Sequence, residues 1–233
     1  MHQRKLLNLQ NHGLNSMNMN LFNEIQTFLK DQPMLEIVEN EKEFILTGIY
    51  NYSLECNGYI AEGERKVRFW ISKDFPNSIP MFYVFDYPND IEHIYSDGNV
   101  CLATIGEMIH FLNRNTSLLA FIDKFINSFV FTLDWFEKYN TYPFGDRQHG
   151  YKGLLDYYIN DLKLTKEQYK EMVLMIYQNK YRGHLPCFCG SKKKLRECHG
   201  EYILPIIQNE NYKALYLKEA YSILTEDGKN VSK

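Results

Sequence analysis

From Met34 onward the apolar positions fall at a period of two. In EFILTGIYNYSL, Glu43–Leu54, the residues Phe44, Leu46, Tyr50, Tyr52 and Leu54 share one face. ERKVRFWIS puts Val67, Phe69 and Ile71 on one face, and MFYVFDYP is a third short run closed by Pro88 and Asn89. Asn57-Gly58 and Glu62-Gly63-Glu64 read as turns, so the segment predicts an antiparallel meander. On either side the period lengthens to that of a helix. Asn15–Lys30 carries Leu21, Ile25 and Phe28 or Leu29 behind Ser16 or Asn18 as candidate caps. Leu118, Leu119, Ile122, Phe125, Ile126, Phe129, Leu133 and Phe136 mark one face of a long helix. Between meander and long helix, Pro88–Asn115 shows no clear period. Two more helices are expected, at Gly153–Leu162 and at Lys166–Tyr181, the second opened by Thr165 with Gln168 in a capping-box pattern. The tail after Pro205 reads as helical and polar. The order predicts an α+β plan with helices covering one side of a sheet.

Composition narrows the class. The chain has 233 residues, 45% hydrophobic and 15% aromatic, enough to bury a core. A net charge of −3 gives no global field that would draw it to nucleic acid, and no direct nucleic-acid partner is expected. The most apolar stretch, Leu118–Phe136, is interrupted by Asp123, Lys124, Asn127 and Asp134, so it reads as a buried helix and no membrane partner is expected. The first residues, MHQRKLLNLQNHGLNS, lack the apolar core of a secretion signal, and a reducing cytoplasm is the expected location.

The five cysteines, Cys56, Cys101, Cys187, Cys189 and Cys198, are odd in number and unevenly spaced, which argues against a disulfide framework. In LPCFCGSKKKLRECHG, Cys187, Cys189, Cys198 and His199 follow Cys-x-Cys-x8-Cys-His, a donor set suited to a closed, structural zinc site. Gly190 and Ser191 supply a tight turn, and Lys192, Lys193, Lys194 and Arg196 offset thiolate charge. The stretch Pro186–Gly200 resembles the SEC-C motif, the small zinc-binding module named from the carboxy terminus of the SecA translocation ATPase. That resemblance implies zinc held by these four residues and a role in recruiting a partner.

Cys101, in IYSDGNVCLATIG, is either a nucleophile or a small apolar filler. The helix–meander–loop–helix order around it resembles the ubiquitin-conjugating family over roughly residues 16 to 140. DFPNSIPMFYVF resembles the segment that ends the family's sheet, through Phe75, Pro76 and Pro80. IEHIYSDGNVCL matches the family's cysteine segment at Ile94, Gly98, Val100, Cys101 and Leu102. The family's histidine-proline pair is replaced by Ile91-Glu92, and its asparagine, eight residues before the cysteine, is His93 here. By resemblance Cys101 is the nucleophile, and His93 stands where the family has the residue that supports the loop and the oxyanion. An imidazole can donate to the oxyanion or accept a proton from an attacking amine. The sequence, including PFGDRQHG at Pro143–Gly150, is similar to bacterial members of this type found in CBASS antiphage operons.

These resemblances imply a ubiquitin-conjugating-like domain over 1–150, a helical connector over 151–182, the zinc module over 183–202 and a tail over 203–233. They imply a thioester between Cys101 and the C-terminus of a donor protein, either a ubiquitin-like protein or a nucleotide-cyclising signalling enzyme. The acyl group then passes to a lysine of an acceptor protein, with an activating enzyme as a possible further partner. Two other readings compete: a catalytically silent binding module of the same fold, and a cysteine hydrolase using Cys101 with His149 and Asp146. His110 reads as a core-edge histidine and Cys56 as packing.

Overall fold

The computed structural model describes residues 19–88, 91, 93–143 and 151–231. The start of the first expected helix, with Ser16 and Asn18, lies outside the described residues, as do Glu92, Asp146 and His149. The fold is α+β, built on a four-stranded antiparallel sheet with several helices. None of the described helices is long and apolar enough to cross a membrane. The chain divides into two compact units, residues 1–100 with 116–140, and residues 101–115 with 141–233.

In the first unit, helix α1 (19–31) precedes strands β1 (Leu35–Glu39), β2 (Glu43–Cys56), β3 (Tyr59–Ser72) and β4 (Met81–Val84), which pair in chain order. The hairpin β2–β3 is the backbone of the sheet. It pairs without interruption from Glu43↔Ser72 to Cys56↔Tyr59 around Asn57 and Gly58. Both turn residues have positive φ, 51° and 79°, the backbone a two-residue hairpin requires. The turn expected at Glu62-Gly63-Glu64 does not form, and β3 runs straight through it. Gly63 sits opposite Tyr52, whose hydroxyl would lie 2.9 Å from a Cβ there. A glycine in this strand makes room for a ring and does not end the ladder.

One face of the sheet carries Phe44, Leu46, Tyr50, Tyr52, Val67, Phe69 and Ile71, all buried as the alternation predicts. Leu54, assigned to the same face, is half-buried near the strand end. Leu21, Ile25 and Phe28 of α1 are buried, and Phe28 meets Phe69 edge-on at 5.3 Å between ring centres. The long helix is composite: α3 (Leu118–Phe121), a π-helical run Ile122–Asn127, and α4 (Ser128–Tyr139). Ser117 caps it through Ala120 N–H, and Glu24 of α1 accepts from the Ser117 hydroxyl and the Leu119 amide. The helix is tied to the sheet by tyrosines of β2 and β3. Tyr50 donates to Asn127 Oδ1 at 2.6 Å, and Tyr52 and Tyr59 donate to the two oxygens of Asp134 at 2.9 and 2.7 Å. Arg65 makes a two-pronged ion pair with Glu137. These polar pairs explain why the helix carries Asn127 and Asp134 within an apolar run.

In the second unit, helix α2 (Ile105–Arg114) occupies part of the stretch that shows no clear period in sequence. It is followed by α5 (Tyr151–Asp156), a π-helical run Tyr157–Asp161, α6 (Lys166–Tyr177), a 3-10 turn Leu195–Glu197, α7 (Gly200–Gln208) and α8 (Glu210–Val231). The capping box at Thr165 and Gln168 is present. Helix α6 ends at Tyr177, not at Tyr181. Asn179 turns left-handed, φ 54°, and Lys180 N–H closes onto Met175 O at 3.0 Å, which terminates the helix. The terminal helical region begins before Pro205, which lies inside α7.

Candidate functional site

The four metal-ligand candidates come from two short turns of the second unit. Pro186 and Lys194 form an isolated bridge, Cys187 N–H donates to Lys193 O at 2.8 Å, and Gly190 N–H returns to Cys187 O. Gly190, φ 78°, is the left-handed residue that turns the chain back after Cys189. Cys198 ends the 3-10 turn, and His199 sits at the N-terminal cap of α7.

The ligand atoms of Cys187, Cys189, Cys198 and His199 all lie within 4.8 Å of one another and can hold a metal ion. Cys187 Sγ and Cys198 Sγ are each 3.3 Å from His199 Nδ1, and Cys189 Sγ is 3.5 Å from Cys198 Sγ. Sulfurs bound to one tetrahedral zinc at about 2.3 Å are separated by roughly 3.7 Å, whereas a disulfide needs about 2.05 Å. The spacing therefore suits ligands around one ion and is too long for a disulfide.

The histidine is oriented for the task. Its Nε2 lies 2.8 Å from Leu162 O. A carbonyl only accepts, so Nε2 carries the proton and Nδ1 presents its lone pair to the cysteines. Such an outer partner is what fixes the tautomer of metal-binding histidines. His199 is buried at 8% exposure, between Phe188 and Tyr202. Burial pushes the Cys187 thiol up to about 11. Burial acts upward on Cys189 too, but hydrogen bonds from Ser191, Cys187 and Cys198 together outweigh it and bring the thiol down to about 6.

The candidate nucleophile lies in a defined chain setting. In the first unit, the loop before it is stitched to β4: Val84 N–H donates to Gly98 O, and Val100 N–H to Phe82 O, both at 2.9 Å. Gly98, φ 84°, sits where a Cβ would be 2.7 Å from Val84 O, so this position demands glycine. His93 belongs to this loop, is exposed, and has φ 68°, a left-handed backbone that asparagine and histidine tolerate better than most residues. Cys101 opens the second unit, is half-buried, and carries no disulfide.

Four residues on, Ile105 starts α2. Thr104 caps the helix, its side chain accepting from Glu107 N–H. Ile105 N–H donates at 2.8 Å to a carboxylate from α8, that of Glu219. Tyr158 donates to the other Glu219 oxygen at 3.0 Å. Burial pushes the Glu219 carboxyl up to about 7, against the two hydrogen bonds. Tyr169 and Tyr216, buried rings of α6 and α8, complete the surroundings of Tyr158.

Two of these features carry sequence signals not used above. Thr104-Ile105-Gly106-Glu107 has the spacing of a helix start, and Tyr212, Tyr216, Ala220 and Ile223 are a buried helical stripe beside Glu219. His110 stacks on Tyr202 at 4.1 Å, within the second unit. Cys56 is half-buried at the end of β2. Comparison with protein-family models, with curated proteins and with solved structures found no match to this chain.

Proposed function

We propose that the protein is a cysteine-dependent acyl carrier of the ubiquitin-conjugating type, with a zinc-stabilised module that recruits a partner. The observation that carries this reading is the setting of Cys101. A helix and a four-stranded meander in chain order lead into a loop pinned to the last strand, and a half-buried cysteine without a disulfide follows, just before a helix. That order supports the ubiquitin-conjugating resemblance drawn from Ile94, Gly98, Val100, Cys101 and Leu102.

In the proposed reaction the Cys101 thiolate attacks the activated C-terminal carbonyl of a donor protein. A carbon–sulfur bond forms as the donor's leaving group departs. A lysine amine of the acceptor then attacks the thioester carbonyl, giving an amide and returning the thiol. His93 occupies the position that the resemblance gives to the loop-supporting asparagine. The donor is a ubiquitin-like protein or a nucleotide-cyclising enzyme, and the setting is bacterial antiphage defence. Zinc is the ion proposed for Cys187, Cys189, Cys198 and His199. With four protein ligands it supplies structure and leaves no position for a reacting water.

The test is a covalent trap in a host carrying the neighbouring genes. Wild type, Cys101→Ala and Cys101→Lys are purified under denaturing conditions and weighed intact. The expected outcome is a thiol-labile protein adduct on wild type, none on Cys101→Ala, and a thiol-stable amide on Cys101→Lys. Bare masses for all three, with Cys101→Ala still protecting cells, would replace this reading with the silent binding module.

A further inference from the structure

Glu219 is far from Cys101 in sequence, yet it ends on the helix that begins just after it. The residue is half-buried on α8, with its carboxylate turned inward. One oxygen accepts from Ile105 N–H at 2.8 Å and the other from Tyr158 Oη at 3.0 Å. The first amides of a helix have no partner within it. Here Thr104 serves Glu107 N–H, and Thr104 O takes the first intrahelical bond, from Met108 N–H. Glu219 serves the amide of Ile105, the first helical residue. Negative charge at this end of a helix is also favoured by the aligned peptide dipoles.

A second contact fixes the same turn. A Cβ on Gly106 would lie 2.5 Å from Tyr158 Oη, so the helix start rests directly on the ring that holds Glu219. Only Leu102, Ala103 and Thr104 separate Cys101 from this anchored turn. The loop before Cys101 is pinned to β4 in its own unit, so the backbone is held both before and after the cysteine.

We propose that Glu219, held by Tyr158, is a positioning residue for Cys101: it clamps the first amide of α2 and so fixes the short connection that carries the thiol. This rests on the reading of Cys101 as the reactive residue. It predicts that part of the C-terminal helix belongs functionally to the cysteine segment. Chemistry at Cys101 would then depend on α8, and shortening the chain before Glu219 would impair it.

The test uses full-length protein purified without chelator, as wild type, Glu219→Ala, Glu219→Gln and Tyr158→Phe. Glutamine keeps an acceptor for Ile105, and its amide can donate to Tyr158 Oη. Amide exchange at Ile105 is read against amides of β2 and β3. Iodoacetamide labelling of Cys101 is read by peptide mass against Cys56 in the same sample. In Glu219→Ala, exchange at Ile105 is expected to rise at least tenfold and labelling of Cys101 at least threefold, with the strand amides unchanged. Glu219→Gln is expected within twofold of wild type on both. Should Glu219→Ala lose its strand amides as well, Tyr158→Phe decides, with an expected rise of at least threefold at Ile105. Unchanged exchange and labelling in the variant that keeps its sheet overturns the proposal, as does failure of Glu219→Gln to restore them. Iodoacetamide needs no donor protein. An absent adduct in the Cys101→Lys trap would therefore remove the acyl-carrier reading while leaving this result standing.

Discussion

Glu219 is the residue at which burial and ionisation are most clearly opposed. Its carboxylate receives two hydrogen bonds, which favour the charged form, but burial dominates and the folded pKa rises to about 7 from the ordinary 4.5. The folded chain therefore holds a proton that the unfolded chain gives up between those values. The contribution to stability is complete below about pH 4.5 and is lost as pH rises through about 7. One pKa unit corresponds to about 1.4 kcal/mol, so the loss amounts to at most about 3.5 kcal/mol. Tyr158, Tyr169 and Tyr216 stay neutral across that range, because burial pushes each of their hydroxyls upward. Glutamine at this position has no proton to lose. Urea unfolding at pH 5 and pH 8 should show wild type losing more stability than Glu219→Gln over that interval. Equal losses would mean that the carboxylate is solvated and ionised throughout.

At the scale of elements, the two glycines of β2 and its hairpin differ in what they spare. Gly48 lies in mid-strand with φ 144°, and a Cβ would meet Met34 O at 2.1 Å, a backbone atom that cannot step aside. Gly58 also has positive φ, 79°, but faces open space. Gly48→Ala should cost about 3 kcal/mol or more, by overlap as well as strain. Gly58→Ala should cost about 1 kcal/mol, by strain alone. Thermal or urea melts of the two variants check the order, and equal losses would show that the turn before β1 yields at Met34. The hairpin was legible in the sequence because Asn57-Gly58 names its own turn and the flanking alternation sets the faces. Glu62-Gly63-Glu64 misled because composition alone does not reveal that Tyr52 lies across from Gly63. Helix α2 was hidden for a related reason: Gly106 weakens the local helical signal, and the ring of Tyr158 that requires it comes from a distant segment. The candidate metal centre was the most legible feature, since the four residues that could hold an ion sit within thirteen residues and local turns suffice to gather them. What it lacked was the acceptor for His199, a backbone carbonyl at Leu162 that no side-chain pattern announces.

At the scale of the whole molecule, the two compact units have different sources of order. The first has a sheet with a two-sided hydrogen-bonded frame and a core of aromatic rings packed from Phe28 through Tyr50 and Phe69 to Phe82. It contains none of the four ligands. The second has no strand among its described residues. Its metal-site turns carry the cap of α7, whose Tyr202 stacks on His110 of α2 and whose Glu201 pairs with Arg114 of the same helix. Cys101–Asn115 belongs to this second unit. If the proposed zinc is bound there, its binding free energy would extend to the helix that follows the cysteine, because a structural zinc site stabilises the turns that fold around it. Removing the ion with a strong chelator should raise amide exchange in 162–231 and in 105–114 by tenfold or more, while β2 and β3 keep their protection. Adding zinc back should restore it, and a Cys187→Ser chain should resemble the chelated one without chelator. Loss confined to 186–200 would make the centre a self-contained knuckle serving partner binding alone. Loss that reaches α2 would make the same ion a determinant of how Cys101 is held, joining the proposed recruitment and the proposed acyl transfer through one unit of the fold.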